Sequence, residues 1–136
     1  MAKVLLVDDS RSSRMIIEKV VKKLGHEVIG QAEDGEKGFE AYKELKPDLV
    51  LSDVEMPNLD GHGMVKRIIE FDPDASIAMV TSVVNAQFIK KIISEGALYA
   101  VKKPINEEKL KKIFDQLDWE WEFYLRVSSK IDDTII

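Results

Sequence analysis

Five times along this chain a short apolar run gives way to a longer stretch with helical spacing. The runs cover 4–7, 28–32, 48–52, 76–81 and 98–101, and the second is the weakest of them. Runs of this length, bounded by turn residues, predict buried strands. The first helical stretch carries Met15, Ile16, Val20 and Leu24 at three- and four-residue spacing, with Lys19 and Lys23 among them. Asp9 or Ser10 supplies a cap at its start, and Gly25 marks its end. A helix over 36–45 is predicted to turn Phe39, Tyr42 and Leu45 inward, after a turn at Asp34-Gly35. Pro47 bars further helix there. Residues 58–63 read as loop, and a third helix over 64–71 carries Met64, Val65, Ile68 and Ile69. A turn at Asp72-Pro73-Asp74 follows. The fourth helix spans 85–95 and stops at Gly96; the fifth starts at Asn106 with Leu110, Ile113, Phe114 and Leu117 on one side.

Strand and helix alternating at this spacing predict βαβ units with right-handed crossovers, hence a parallel sheet covered on both faces. The fold class is α/β, a doubly wound five-stranded parallel sheet, in one domain over 1–118. Residues 119–136 fall outside the alternation. Trp119, Trp121, Phe123, Leu125 and Val127 recur at period two, whereas Leu117, Trp121, Tyr124 and Ser128 fit a continued helix. Both tryptophans lie in this extension. It either packs back on the domain or offers a homodimer or partner contact, since clustered exposed aromatics mark contact surfaces.

A chain of 136 residues suffices for one core. The net charge of -5 makes nucleic acid an unsuitable direct partner. With no cysteine, disulfide and thiolate chemistry are excluded. The first apolar run has only four residues before Asp8, too few for a signal peptide or a membrane span. A cytoplasmic location, away from membranes, is expected.

The chemistry gathers at the carboxyl ends of the predicted strands. Asp8 and Asp9 follow the first, Asp53 the third, Thr81 closes the fourth, and Lys103 follows the fifth. A parallel sheet brings these ends to one edge, where ligands of open α/β sheets bind. The second strand supplies nothing comparable, as fits an edge strand. Three carboxylates within about 5 Å repel by roughly 3 kcal/mol per pair at an effective dielectric near 20. They need a cation or raised pKa values. An all-oxygen ligand set favours Mg²⁺ over zinc. A metal and Lys103 can neutralise a transferring phosphoryl group, Asp53 can act as nucleophile, and the Thr81 hydroxyl can hydrogen-bond the product. His26 and His62 are isolated in sequence and receive no role; Glu27 and Glu33 read as surface charges.

Over roughly 2–118 the chain resembles the receiver domains of two-component response regulators, the CheY-like superfamily. The resemblance rests on Val-Leu-Leu-Val-Asp8-Asp9-Ser10, on the run from Pro47 through Asp53-Val-Glu55-Met-Pro57, and on Asp60-Gly61, Thr81-Ser82, Gly96-Ala97 and Lys103-Pro104. It implies the flavodoxin-like strand order 2-1-3-4-5, for which this superfamily supplies a standard example. It implies that Asp53 is the phosphoacceptor and that Asp8 and Asp9 bind Mg²⁺, Asp9 directly. It further implies a metal contact from the Glu55 main-chain carbonyl, a switch hydroxyl on Thr81, a phosphoryl partner in Lys103 and a cis Lys103–Pro104 bond. A sensor histidine kinase is the implied phosphoryl donor, and a downstream protein the implied target.

The chain departs from the family pattern at Ala100, where an aromatic switch residue usually stands. Tyr99 is adjacent, but a one-residue slip in a strand turns a side chain to the other face. Acidic Glu55 and apolar Val83 lie by resemblance near the route of a hydrolytic water, which suggests prolonged retention of the phosphoryl group. The leading reading is a stand-alone phospho-accepting switch, not an enzyme beyond any autophosphatase activity. The alternatives are a receiver fold used for dimerisation or scaffolding without phosphorylation, and a Mg²⁺-dependent phosphohydrolase of the haloacid dehalogenase type. The last fits poorly, because its nucleophile ends the first strand.

Overall fold

The computed structural model describes residues 1–82 and 85–117. Five strands alternate with five helices: β1 (Lys3–Val7), α1 (Arg11–Lys23), β2 (Glu27–Ala32), α2 (Gly35–Leu45), β3 (Leu49–Ser52), α3 (Gly61–Phe71), β4 (Ile77–Thr81), α4 (Ala86–Ser94), β5 (Tyr99–Lys102) and α5 (Glu107–Leu117). The strands form one parallel sheet in the order β2-β1-β3-β4-β5. The doubly wound fold and the flavodoxin-like order are as expected. The aromatic extension at 119–136, with its dimer or partner reading, lies outside the described residues.

Alternation along each strand divides the core in two. Leu5, Val7, Val50, Ile77, Met79 and Ala100 face α2, α3 and α4. Val4, Leu6, Leu49, Leu51, Val80 and Val101 face α1 and α5. Parallel strands buried on both faces read as continuous apolar runs for this reason. A fully buried Leu or Ile of this kind stabilises the fold by about 1.5–3 kcal/mol relative to an exposed one. Among the described residues no helix is long and apolar enough to cross a membrane.

Three expectations need correction. In α1 the buried residues are Ile17 and Val21, while Met15 and Ile16 are 53% and 55% exposed. The helix is rotated so that two apolar side chains face outward. In α2, Leu45 at the last turn is 38% exposed, although its Cδ1 covers Gly30 of β2. Finally, α3 starts at Gly61 and not at Met64. Asp60 caps it, accepting from the Gly63 amide at 2.8 Å. The Gly61 amide donates to the Val54 carbonyl at 2.8 Å. A Cβ at Gly61 would sit 2.1 Å from the Asp53 carbonyl oxygen, so only glycine permits the approach.

His62, without a role in the sequence reading, joins α3 to α4. Its Nε2 pairs with the carboxylate of Glu95, the C-cap of α4. Its ring meets Phe88 edge-on, with centroids 5.7 Å apart. His26 stacks on Phe114 at 3.8 Å and accepts from the Ala2 amide at 2.9 Å. Glu27 and Glu33 are exposed as expected, Glu33 pairing with Lys37.

Asp34, read as a turn residue, is buried and caps α2. It accepts from the Lys37 amide at 2.8 Å and from Asn58 Nδ2 at 2.9 Å. The Lys37 hydrogen bond, then the one from Asn58, hold its carboxyl below the usual range. A carboxyl lowered by folding contributes stability above its unfolded pKa, and the contribution disappears as pH falls through the folded value. Asp34→Ala is therefore expected to cost about 1–2 kcal/mol at neutral pH in denaturant unfolding. The gap from wild type is expected to narrow below about pH 4; a constant gap would refute the assignment.

Candidate functional site

The strand register builds the site. Val7 of β1 pairs with Ser52 of β3, so Asp8 and Asp53, each one residue further, emerge side by side. Their backbones continue the ladder, with the Asp8 amide donating to Ala32 at 3.0 Å and the Asp53 amide to Val7 at 2.9 Å. Thr81 pairs with Lys102, and the Lys103 amide donates to the Thr81 carbonyl at 2.8 Å. Lys103 thus leaves the sheet beside the end of β4 and reaches back across β3 and β1. Its loop is pinned by Lys109, whose Nζ donates to the Lys102 and Pro104 carbonyls at 2.8 and 3.2 Å. The Lys103–Pro104 bond is cis.

Lys103 Nζ donates to Asp8 Oδ2 at 2.8 Å and to Asp53 Oδ2 at 3.1 Å. Burial opposes the charge on Lys103, but the hydrogen bond it donates to Asp8 and the attraction of Asp53 outweigh it and hold the ammonium above its ordinary pKa. Asp8 is the most enclosed of the acids, with a side chain 3% exposed against 12% for Asp53. Asp8 Oδ1 accepts from the Ser10 amide at 2.9 Å, and Oδ2 also accepts from Ser13 Oγ at 2.8 Å. Arg14 Nη1 donates to the Asp8 carbonyl, and its Nε to Gln31 at 3.0 Å. Asp53 Oδ1 accepts from the Val54 amide at 2.7 Å. Asp9 is exposed and completes a group of three carboxylates whose oxygens lie within 4.8 Å of one another. One ammonium against three carboxylates leaves negative charge in excess. Such an all-oxygen set suits a hard divalent cation.

Of the predicted site residues, Asp8, Asp9, Asp53 and Lys103 therefore meet at one point. Thr81 is buried at the end of β4, next to the Lys103 backbone. Glu55 lies two residues past Asp53, with an exposed side chain outside the three-acid group. Ala100 faces the α2–α4 side, whereas Tyr99 is buried on the α1–α5 side. The neighbouring aromatic therefore does not substitute at the position of Ala100. Ser13 was missed by the sequence reading. Its only trace there is its place in the first turn of a helix that begins just after Asp9.

The model of the response regulator receiver domain matches residues 4–115. The chain belongs to the response regulator receiver domains. As a receiver domain it is 35% identical over 108 residues to the chemotaxis protein CheY of Thermotoga maritima, covering 79% of this chain and 90% of that one. Among solved structures it resembles a CheX–CheY–BeF3–Mg+2 complex from Borrelia burgdorferi, with TM-score 0.80 and 30% identity over 82% of this chain and 85% of the other. It also resembles the response regulator domain of Thermotoga maritima CheB, with TM-score 0.78 and 31% identity over 85% and 96% of the two chains. The receiver fold, the CheY-like relationship and the link to two-component signalling are thus established for this chain, and receiver domains bind Mg²⁺ at an acidic pocket of this kind.

The excess charge makes a prediction for the metal-free protein. Asp9→Asn removes one repulsive partner from the rim and is expected to raise stability by about 1 kcal/mol, since Asp9 is solvated. A denaturant midpoint below that of wild type would show that the three acids are not in net repulsion.

Proposed function

We propose that this receiver domain is a phospho-accepting switch, with Asp53 taking a phosphoryl group from the phosphohistidine of a sensor histidine kinase. The observation that carries the reading is the shared grip of Lys103 on Asp8 and Asp53 within a three-carboxylate group. Asp8, Asp9 and Asp53, with the Glu55 main-chain carbonyl, are the residues that would hold Mg²⁺. When bound, the ion supplies positive charge against the oxygens of the transferring group. An Asp53 oxygen forms the bond to phosphorus as the bond to the donor nitrogen breaks. Lys103, already held protonated, turns from the acids to the transferred oxygens. Thr81 stands at the strand end as the hydroxyl that hydrogen-bonds the product.

The altered face then changes affinity for a downstream protein. A CheY relative 30% identical to this chain occurs in a complex with CheX, which supports protein targets as the output class. We place the reading in the cytoplasm and away from nucleic acid and membranes. The competing use, dimerisation or scaffolding without phosphorylation, leaves the acidic group without a task.

Acetyl phosphate with Mg²⁺ tests the reading. Wild type is expected to gain one base-labile phosphoryl group by intact mass, and Asp53→Asn none. Rapid turnover of the donor would indicate an enzyme, and no modification at all would favour the scaffold. Replacing Glu55 and Val83 together is expected to shorten the phosphoryl lifetime, and an unchanged half-life would refute prolonged retention.

A further inference from the structure

Ser13 stands on the first turn of α1, five residues after Asp8 in sequence, and is used by nothing described above except its hydrogen bond. That bond is unusual in its placement. Ser13 Oγ and Lys103 Nζ both donate to the same oxygen, Asp8 Oδ2, each at 2.8 Å. The other oxygen, Oδ1, is held by the Ser10 amide. Asp8 is thus clamped by two donors from the start of α1, and Lys103 adds a third from the loop after β5. The helix is itself anchored to Asp8 through Arg14 and the Asp8 carbonyl.

A side chain only 3% exposed has little access to water. When Lys103 withdraws, an Asp8 carboxylate lacking Ser13 would keep a donor on Oδ1 alone, and buried acceptors resist losing their partners. Ser13 and Lys103 both line a cavity of about 490 Å³ between α1 and the loop after β5, bounded also by Ile16 and Ile105. Ser13 is carried by α1 and Lys103 by the loop after β5, so the two donors to Asp8 Oδ2 are held by separate elements.

We propose that Ser13 is a positioning residue of the acidic site. Its hydroxyl fixes the Asp8 carboxylate for the cation and keeps Oδ2 satisfied when Lys103 turns away. The inference rests on the metal-dependent reading of the site given above. It assigns to α1 a direct part in setting the cation affinity, in addition to packing on the sheet.

The test is calorimetric titration of the full chain with Mg²⁺, for wild type, Ser13→Ala and Ser13→Thr. Residues that orient a metal ligand typically change affinity tenfold or more when lost. Ser13→Ala is expected to weaken Mg²⁺ binding about tenfold, while Ser13→Thr, which keeps the hydroxyl, is expected to stay within about twofold of wild type. In an Asp8→Asn background the effect of Ser13→Ala is expected to vanish, because the two residues act as one unit. Thermal unfolding of the metal-free proteins separates folding from positioning, and a near-equal midpoint for Ser13→Ala supports positioning. Equal Mg²⁺ affinity for Ser13→Ala and wild type would overturn the proposal while leaving the metal site intact. No Mg²⁺ binding by wild type would instead overturn the metal-dependent reading, and this inference with it.

Discussion

The shared hydrogen bonding of Lys103 to Asp8 and Asp53 is the constraint on which the site depends. It joins residues 95 and 50 positions apart in sequence. It also reduces the repulsion that the parallel register imposes by delivering carboxylates to adjacent strand ends. Without a cation there, those ends would be driven apart or neutralised. The lysine meets that need in part, since its single charge faces three acids. The remainder is an electrostatic deficit that folding creates by bringing Asp53 up to the adjacent pair Asp8 and Asp9, which the unfolded chain keeps far from it. Functional sites commonly hold such stored cost, compensated by the surrounding core.

That core is arranged to keep the rim in place. Both faces of β1 and β3 are buried, so a slip in their pairing would move whole apolar sets out of register. The helices contribute at their ends as well as along their faces. Ser10, Asp34, Asp60 and Asn85 cap α1 to α4, and the caps of α1, α2 and α3 lie in the loops near the acidic group. The His62–Glu95 pair ties the α3 end of this rim to the far end of α4.

Much of this was legible in the sequence because buried parallel strands leave an apolar run, and four of the five runs here ended on or beside a residue able to do chemistry. Asp8, Asp9, Asp53, Thr81 and Lys103 could be named before any coordinates. Less legible was whatever depends on rotation or on a distant partner. Met15 and Ile16 have helical spacing, yet Ile17 and Val21 occupy the core, because spacing alone does not say which side of a helix meets the sheet. Gly61 and Gly63 read as loop residues, but Gly61 opens a helix for want of space beside the Asp53 carbonyl. His62 looked isolated because its partner Glu95 lies 33 residues away. Ser13 was overlooked since a serine in a first helical turn ordinarily faces solvent or caps the backbone.

The fastening of the segment after Asp53 has a wider consequence. The Asp53 amide is tied to Val7, and the Gly61 amide to Val54, so the intervening loop is pinned close to both roots. The exposed side chains within it, Glu55 and Pro57 among them, take no part in holding the sheet edge in place. Evolution can thereby diversify what surrounds the acidic rim without re-engineering the scaffold that carries it.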